Sequence, residues 1–123
     1  MKESYKHWIE MALDDLGAAR ANFDIGQYYV CAQLSHQAAE KALKALVIKE
    51  LRELPHVHDL TFLAKAVNAD KGIVAKLTTL SSIYIETKYG SREYKPSEKF
   101  DDDNTSEFLS SAGEIVEWCQ KKI

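Results

Sequence analysis

The amino-acid sequence predicts an all-α protein, an antiparallel up-and-down helical bundle of four long helices plus one short helix. Apolar residues recur at spacings of three and four along most of the chain, which is typical of helices with a buried face. The chain has only two prolines and five glycines, and these helical segments are separated from one another by Gly26, Pro55, Gly72, and Gly90 with Pro96. Because 123 residues suit one domain with one core, we expect residues 1–123 to form a single domain.

The first two predicted helices are joined by a tight turn that is centred on Gly26. The first helix covers residues 4–23, with Ser4 as its N-cap. The second covers residues 28–53 and carries alanine and larger apolar residues on more than one face, which favours a position at the centre of the bundle. Pro55 is expected to end this helix, because proline cannot donate a backbone hydrogen bond.

A short helix and another long helix are predicted to follow the central one. The short helix covers residues 59–68, and the side chain of Asp59 can cap its first turn. The long helix covers residues 72–89, where apolar residues again keep a helical spacing. The sequence contains no convincing strand pattern, so the bundle is expected to be purely helical.

A polar loop and a last helix complete the predicted fold. The loop covers residues 90–103 and ends in three consecutive aspartates, which we interpret as solvated charge near a helix N-terminus. The last helix is predicted to begin at Asn104, with Glu107 as the partner in a capping box. Lys121 and Lys122 lie at its far end, where positive charge complements the helix dipole.

Composition and charge exclude several classes of protein. A net charge of −3 and a pI of about 5.8 argue against binding of nucleic acid by overall charge, although they leave room for a local basic patch. No uncharged apolar run reaches the roughly 20 residues that span a membrane, and the N-terminus does not resemble a signal peptide. Cys31 and Cys119 lie among apolar helical residues, so we expect reduced thiols in the core and a cytoplasmic protein.

The most informative stretch is residues 28–46, which reads YYVCAQLSHQAAEKALKAL. Its HQAAEKALKA segment resembles the signature of the HEPN domain family. Three further segments agree with that family in order and distance: ALDDL at residues 12–16, HDL at residues 58–60, and a Tyr…Ser-Arg-x-Tyr element at residues 84–94. The resemblance covers nearly the whole chain, and the HQAAEK run is its specific part.

The resemblance implies a bundle that pairs as a homodimer. Members of the family are often encoded beside a minimal nucleotidyltransferase, and many belong to toxin–antitoxin or defence systems. One branch cuts RNA without a metal, using an arginine that is followed a few residues later by a histidine, late in the chain, with two protomers composing the site. We therefore expect a homodimer with a minimal nucleotidyltransferase, nucleotides or RNA as partners, no cofactor, and no association with membranes.

The chain departs from the ribonuclease branch of that family. Arg92 is its last arginine, but no histidine follows it, and the last histidine is His58. The earlier pair Arg52 and His58 has a suitable spacing but spans Pro55, so the two side chains cannot share one helical face. The sequence thus predicts a non-catalytic binding or partner module that associates with nucleotides or RNA. The alternative is a metal-independent ribonuclease whose arginine–histidine motif is displaced or degenerate.

Polar residues of the central helix form the first candidate site. Gln37, Glu40 and Lys44 share one face of the helix, and Lys41 lies beside them. In a functional interpretation these residues form a polar wall for a nucleotide or a partner, where the lysines contact phosphate and Gln37 bonds a base. In the other interpretation they form a satisfied polar seam, in which Glu40 pairs with Lys44 one turn later and Gln37 bonds a neighbouring helix. His36, next to this face, is expected to be a hydrogen-bonded core or interface residue.

Aromatic and basic residues around the late loop form the second candidate site. They are Tyr84, Tyr89, Arg92, Tyr94 and Lys95. This composition is typical of a surface that stacks bases and contacts phosphate. It is equally typical of an ordinary protein interface, where tyrosine and arginine are enriched. The sequence leaves both interpretations open.

His56, His58 and Asp59 come nearest to a metal-binding pattern. A usual metal site needs three or four ligands with supporting partners, and nothing nearby in the sequence completes the set. We interpret His58 and Asp59 instead as the junction between a loop and the short helix. No metal is therefore expected.

Overall fold

The computed structural model of the chain describes residues 4–53, 56, 58–89 and 93–123. Within these residues all regular secondary structure is helical, as predicted. Six helices follow one another: α1 (Ser4–Asp24), α2 (Tyr28–Leu51), α3 (Leu60–Ala66), α4 (Lys71–Tyr89), α5 (Pro96–Lys99) and α6 (Asp102–Lys122). Four of them are long, whereas α3 and α5 are short, so the described part has one short helix more than the sequence predicted.

The central helix of the bundle is α2, as predicted. It packs against each of the other five helices, and its most extensive partners are α1 and α6. Seven consecutive residues of α2, 42–48, are buried. A run of that length goes round the helix more than once, so this part of α2 has neighbours on every side. Ala39, Ala42 and Ala45 are fully buried and allow those neighbours to approach closely.

The first helix, α1, turns back sharply into α2 through residues 25–27. Gly26 has a left-handed backbone with φ of 79°, a conformation that glycine adopts without a steric penalty. The backbone amide of Gln27 donates to the carbonyl of Asn22 at 2.8 Å, which satisfies one of the last carbonyls of α1. This short reversal makes α1 an antiparallel neighbour of α2. At the other end, α1 begins at Ser4, the residue that was predicted as its N-cap.

The end of α2 lies at Leu51, earlier than the predicted boundary at residue 53. Arg52 takes a left-handed conformation with φ of 60°, and its backbone amide donates to the carbonyl of Ile48 at 2.9 Å. This local turn ends the helix, while Pro55, which was expected to do so, lies outside the described residues. α3 starts after Asp59, whose carboxylate accepts hydrogen bonds from two backbone amides of the first turn, as predicted.

The segment predicted as a polar loop contains the single-turn helix α5, which begins with Pro96. Proline suits a first helical position, because its missing N–H would have no partner there. α6 begins at Asp102 rather than at Asn104. Its N-cap is Asp101, and the reciprocal capping bonds join Asp101 to Asn104 at 2.9 and 3.0 Å, rather than involving Glu107. Aspartate is among the best N-cap residues, so the acidic run itself supplies the cap.

The core lies between α2 and the helices that surround it. Its largest fully buried apolar side chains are Leu43, Leu46, Ile48, Leu60, Leu63, Leu77, Leu80, Ile115 and Val116. Both cysteines are buried free thiols, as predicted. Burial raises the pKa of Cys31, and burial with the charge of Glu50 raises the pKa of Cys119 to about 12. None of the described helices combines the length and apolar character needed to traverse a bilayer.

Candidate functional site

Polar and aromatic side chains from four parts of the chain meet around Glu40, in the middle of α2. They come from α1, α2, the segment before α3, and α4. We call this set the Glu40 cluster, and its members are Trp8, His36, Glu40, Lys44, His58 and Tyr84. Three of these residues, Glu40, Lys44 and Tyr84, were candidate site residues in the sequence.

The carboxylate of Glu40 holds two other groups of the cluster. Its Oε2 lies 3.0 Å from Nζ of Lys44 and 2.7 Å from Nδ1 of His58. The Glu40 and Lys44 side chains are only 12% and 6% exposed, so this ion pair is largely removed from water. The predicted pairing of Glu40 with Lys44 is therefore present. An ion pair with so little exposure is screened much less by salt than a surface pair.

The ring of His58 has a defined orientation although it is 77% exposed. We assign its proton to Nδ1, because Nδ1 lies 2.7 Å from a carboxylate oxygen and must donate to it. Lys44 is itself a donor, and its Nζ lies farther from Nδ1, at 3.4 Å. In the neutral ring Nε2 is then the nitrogen with the free electron pair. An imidazole held in this way can accept a proton or attack an electrophile at Nε2.

The inner side of the cluster joins α2 to α1 and α4. His36 is buried, as expected, and its ring stacks on Tyr84 with the centroids 3.9 Å apart and the planes 16° apart. Its Nδ1 lies 4.0 Å from Oε1 of Glu40. Nζ of Lys44 lies 5.3 Å from the centre of the Trp8 ring, within the range of a cation–π interaction. These contacts fix the positions of Glu40 and Lys44.

Lys41, the other candidate lysine of the central helix, is also paired with a carboxylate. Nζ of Lys41 lies 2.7 Å from Oδ2 of Asp15 on α1. Gln37, the remaining candidate on this helix, is half-buried. Both lysine charges of the candidate set are thus compensated by carboxylates of the same chain. This arrangement agrees with the interpretation of a satisfied polar seam.

A separate surface lies where α4 ends and α5 begins. Tyr89, the last residue of α4, is 75% exposed. Tyr94 is half-buried, and Nζ of Lys99 lies 5.2 Å from the centre of its ring. Lys95 precedes α5 and is exposed. We call these four residues the α4–α5 surface.

Two other residues of the second candidate set do not belong to the α4–α5 surface. Tyr84 lies in the Glu40 cluster instead, because it is stacked on His36. Arg92 lies outside the described residues. The exposed Glu93 and Glu98 occupy the same segment of the chain as the lysines, so the surface carries both signs of charge.

Three members of the Glu40 cluster were not among the residues predicted for a site: Trp8, His36 and His58. A partial signal exists, because His36, Glu40 and Lys44 follow one another at intervals of four residues and so share a helical face. The approach of His58 has no such signal, because it depends on the path of the chain between α2 and α3. Helical periodicity does not predict a contact across an irregular segment.

The Glu40 cluster is already occupied by a cation of the chain itself. The ammonium of Lys44 lies 3.0 Å from Glu40 and 3.4 Å from His58, where a metal ion would compete with it. Among the described residues no group of three or more His, Cys, Asp or Glu side chains is arranged to hold a metal ion. The chemistry that this cluster offers is that of an imidazole, a carboxylate and an ammonium.

Comparison with known proteins identifies the same family as the sequence motifs. The family model for the HEPN domain matches residues 5–123. The protein TT1696 from Thermus thermophilus has the same fold, with a TM-score of 0.91 and 23% identity over 100% of both chains. ST0689, an archaeal HEPN homologue, has a TM-score of 0.81 and 27% identity over 95% of both chains. No curated protein matches this chain.

Proposed function

The chain belongs to the HEPN domain family, and we propose that it is a non-catalytic member that binds nucleotides or RNA through the α4–α5 surface. We further propose that it acts in the cytoplasm as a homodimer, with a minimal nucleotidyltransferase as partner, in a system of the toxin–antitoxin or defence kind. One observation carries the proposal: Tyr89 projects from the end of α4 with 75% of its surface exposed. Tyr94, Lys95 and Lys99 follow within the next ten residues.

The α4–α5 surface suits single-stranded RNA better than the central helix does. An exposed tyrosine ring can stack on a base, which contributes about 1–3 kcal/mol per base. Lys95, which is exposed just before α5, can contact a phosphate next to that base. Lys41 and Lys44 of the central helix are paired with carboxylates at 2.7 and 3.0 Å. A phosphate bound there would have to break one of those ion pairs.

The assignment as non-catalytic depends on proton transfer. Cutting RNA without a metal requires a group that takes the 2′-hydroxyl proton and another that protonates the leaving oxygen. Arg92 stays charged and cannot take a proton, and no histidine follows it in the chain. Arg92 by itself therefore cannot supply the acid–base chemistry of the family's ribonucleases.

One observation favours the alternative, a metal-independent ribonuclease with a displaced motif. The imidazole of His58 is exposed and oriented by Glu40, as a general base would be. The test is to incubate pure protein with RNA in EDTA and to compare the wild type with Arg92→Ala and His58→Ala. We expect intact RNA in every sample. Cleavage that both substitutions abolish would establish a relocated motif and overturn the assignment as non-catalytic.

Exposed apolar side chains support the proposal of a homodimer. In the part of the chain that the structure describes, the large exposed ones are Leu13, Ile25, Leu51, Phe62 and Tyr89. Packing of some of these side chains other than Tyr89 against a second copy would remove them from water. Light scattering at micromolar concentration is expected to give the mass of a dimer or a larger oligomer. A mass of one chain across that range contradicts this part of the proposal.

The proposed partner is tested by the neighbouring gene. A minimal nucleotidyltransferase encoded there is expected to co-purify with this chain when the two are co-expressed. Two folded proteins that elute separately contradict the partnership, but they leave the RNA-binding proposal intact.

A further inference from the structure

We propose that His58 is a phosphoryl-acceptor site, whose Nε2 takes up a phosphoryl group from a small-molecule donor such as phosphoramidate or an acyl phosphate. The observation behind it is an exposed imidazole that is held by a nearly buried carboxylate–ammonium pair. This inference does not depend on RNA binding, and it assigns to the chain a modification site rather than an enzymatic activity.

The support beneath the ring distinguishes His58 from an ordinary surface histidine. Two exposed side chains that meet at a surface usually form a weak and mobile contact. Here only the ring is exposed, at 77%, whereas the Glu40 side chain that holds it is 12% exposed. Glu40 is fixed in turn by Lys44, which is 6% exposed and lies over Trp8. The exposed imidazole is thus held in place by a side chain of the central helix.

The same contact prepares Nε2 for attack on phosphorus. A carboxylate that accepts the Nδ1–H proton of an imidazole fixes the tautomer and the orientation of the ring. Glu40 accepts that proton at 2.7 Å, so the free electron pair belongs to Nε2. With 77% of the side chain exposed, a donor reaches the ring from solvent, and the transferred group stays in water.

The reaction balances without an oxidant, a reductant or a metal. The electron pair of Nε2 forms the new N–P bond while the P–N bond of phosphoramidate breaks, and ammonia leaves. With an acyl phosphate a P–O bond breaks instead, and the carboxylate leaves. The ring gains a positive charge in either case. The carboxylate of Glu40, 2.7 Å from Nδ1, continues to accept the Nδ1 proton, and its negative charge is shared between the ring and the ammonium of Lys44.

The other described histidines provide internal comparisons. His56 and His7 are exposed, and no carboxylate among the described residues lies within hydrogen-bonding distance of either. His36 is 3% exposed and stacked on Tyr84, so donors cannot reach it. If Glu40 only anchors the segment before α3, exposed histidines should react alike. If Glu40 activates the ring, His58 should react first.

The experiment treats the full chain with potassium phosphoramidate at neutral pH and follows the adduct by intact mass and by peptide mapping under non-acidic conditions. We expect the first phosphoryl group on His58, with His56 and His7 modified about tenfold more slowly. Glu40→Gln is expected to slow the modification of His58 by about the same factor and to leave the rates of the other two unchanged. Acetyl phosphate should give the same order of sites.

Equal rates at His58 and His56 in the wild type overturn the inference, and so does the absence of any adduct. The comparison of histidines within one protein needs no variant, so it holds even if Glu40→Gln does not fold. Where circular dichroism shows that Glu40→Gln is folded, an unchanged rate at His58 also contradicts the role of the carboxylate. A His58→Gln variant should lose the first adduct and retain the slower ones.

Discussion

Replacing Lys44 by methionine tests whether the ion pair between Glu40 and Lys44 stabilises the folded bundle. Methionine keeps most of the volume of the lysine stem, so the change removes the charge while largely preserving the packing. The ammonium lies 3.0 Å from Oε2 of Glu40, and its side chain is only 6% exposed. The variant therefore leaves a nearly buried carboxylate with one neighbour fewer.

The expected loss of stability follows from that geometry. At 3.0 Å the attraction between two unit charges is about 5 kcal/mol when the effective dielectric constant is roughly 20. Removing Lys44 also abolishes the cost of burying an ammonium, which offsets part of this term. Glu40 keeps its hydrogen bond from His58 at 2.7 Å. We therefore expect Lys44→Met to lower the free energy of unfolding by about 2–3 kcal/mol, below the usual range for a broken buried pair.

Urea denaturation followed by circular dichroism measures this loss. A double variant, Glu40→Leu with Lys44→Met, should recover most of it, because an apolar pair of similar volume often replaces a buried ion pair at little cost. A loss below about 0.5 kcal/mol for Lys44→Met would place the change among ordinary surface substitutions and refute the reasoning. A double variant less stable than the single one would also contradict it.

Further predictions concern the core, a helix cap and a thiol. Leu80→Ala is expected to lower the free energy of unfolding by about 3 kcal/mol in a urea titration, because Leu80 is fully buried. The control Leu13→Ala, at a position that is 41% exposed, should lower it by under about 1 kcal/mol. Asp101→Ala removes the N-cap of α6 and should lower the melting temperature by an amount equivalent to about 1 kcal/mol, and an unchanged value would show that the cap is dispensable. Folding raises the pKa of Cys119 from 9.0 to about 12, so this thiol stabilises the fold fully below pH 9 and progressively less as the pH rises toward 12. Wild type should therefore lose more stability than Cys119→Ala between pH 9 and 11, and equal losses would count against the raised pKa.

Much of the fold follows from features that are local in the sequence. The alanine-rich pattern of residues 28–53 predicted a central helix, and its buried residues occur on every side. Gly26 and Asp59 marked a turn and a cap correctly, because each acts through its own backbone or side chain within a few residues. These signals need no knowledge of the tertiary structure.

The sequence did not predict the start of α6 or the short helix α5, because the local signals there allow more than one structure. Both Asp101 and Asn104 can cap a helix, and the sequence pattern favoured the later start because Glu107 completes a capping box there. In the structure Asp101 and Asn104 satisfy each other, so the helix starts earlier. Helix α5 has only four residues, too few to show an amphipathic period.

The candidate site was predictable only in part, for a different reason. Glu40 and Lys44 share a helical face, so their ion pair could be predicted from spacing alone. Tyr84 and Tyr89 lie five residues apart in the sequence, and both were predicted to belong to the second candidate site. The structure separates them, because Tyr84 stacks on a buried histidine of α2 whereas Tyr89 faces solvent. Which side of α4 meets α2 is decided by packing of the whole bundle.

A binding titration with single-stranded RNA tests the proposed function most directly. Fluorescence anisotropy of a labelled oligonucleotide would be followed in EDTA with the wild type, with Tyr89→Ala, and with the control Phe62→Ala, which removes an aromatic side chain that is 56% exposed on α3. We expect saturable binding by the wild type and by Phe62→Ala, and an affinity about tenfold lower for Tyr89→Ala, the loss of one stacked base. No binding by the wild type, or an equal affinity for Tyr89→Ala, would contradict the assignment of the α4–α5 surface.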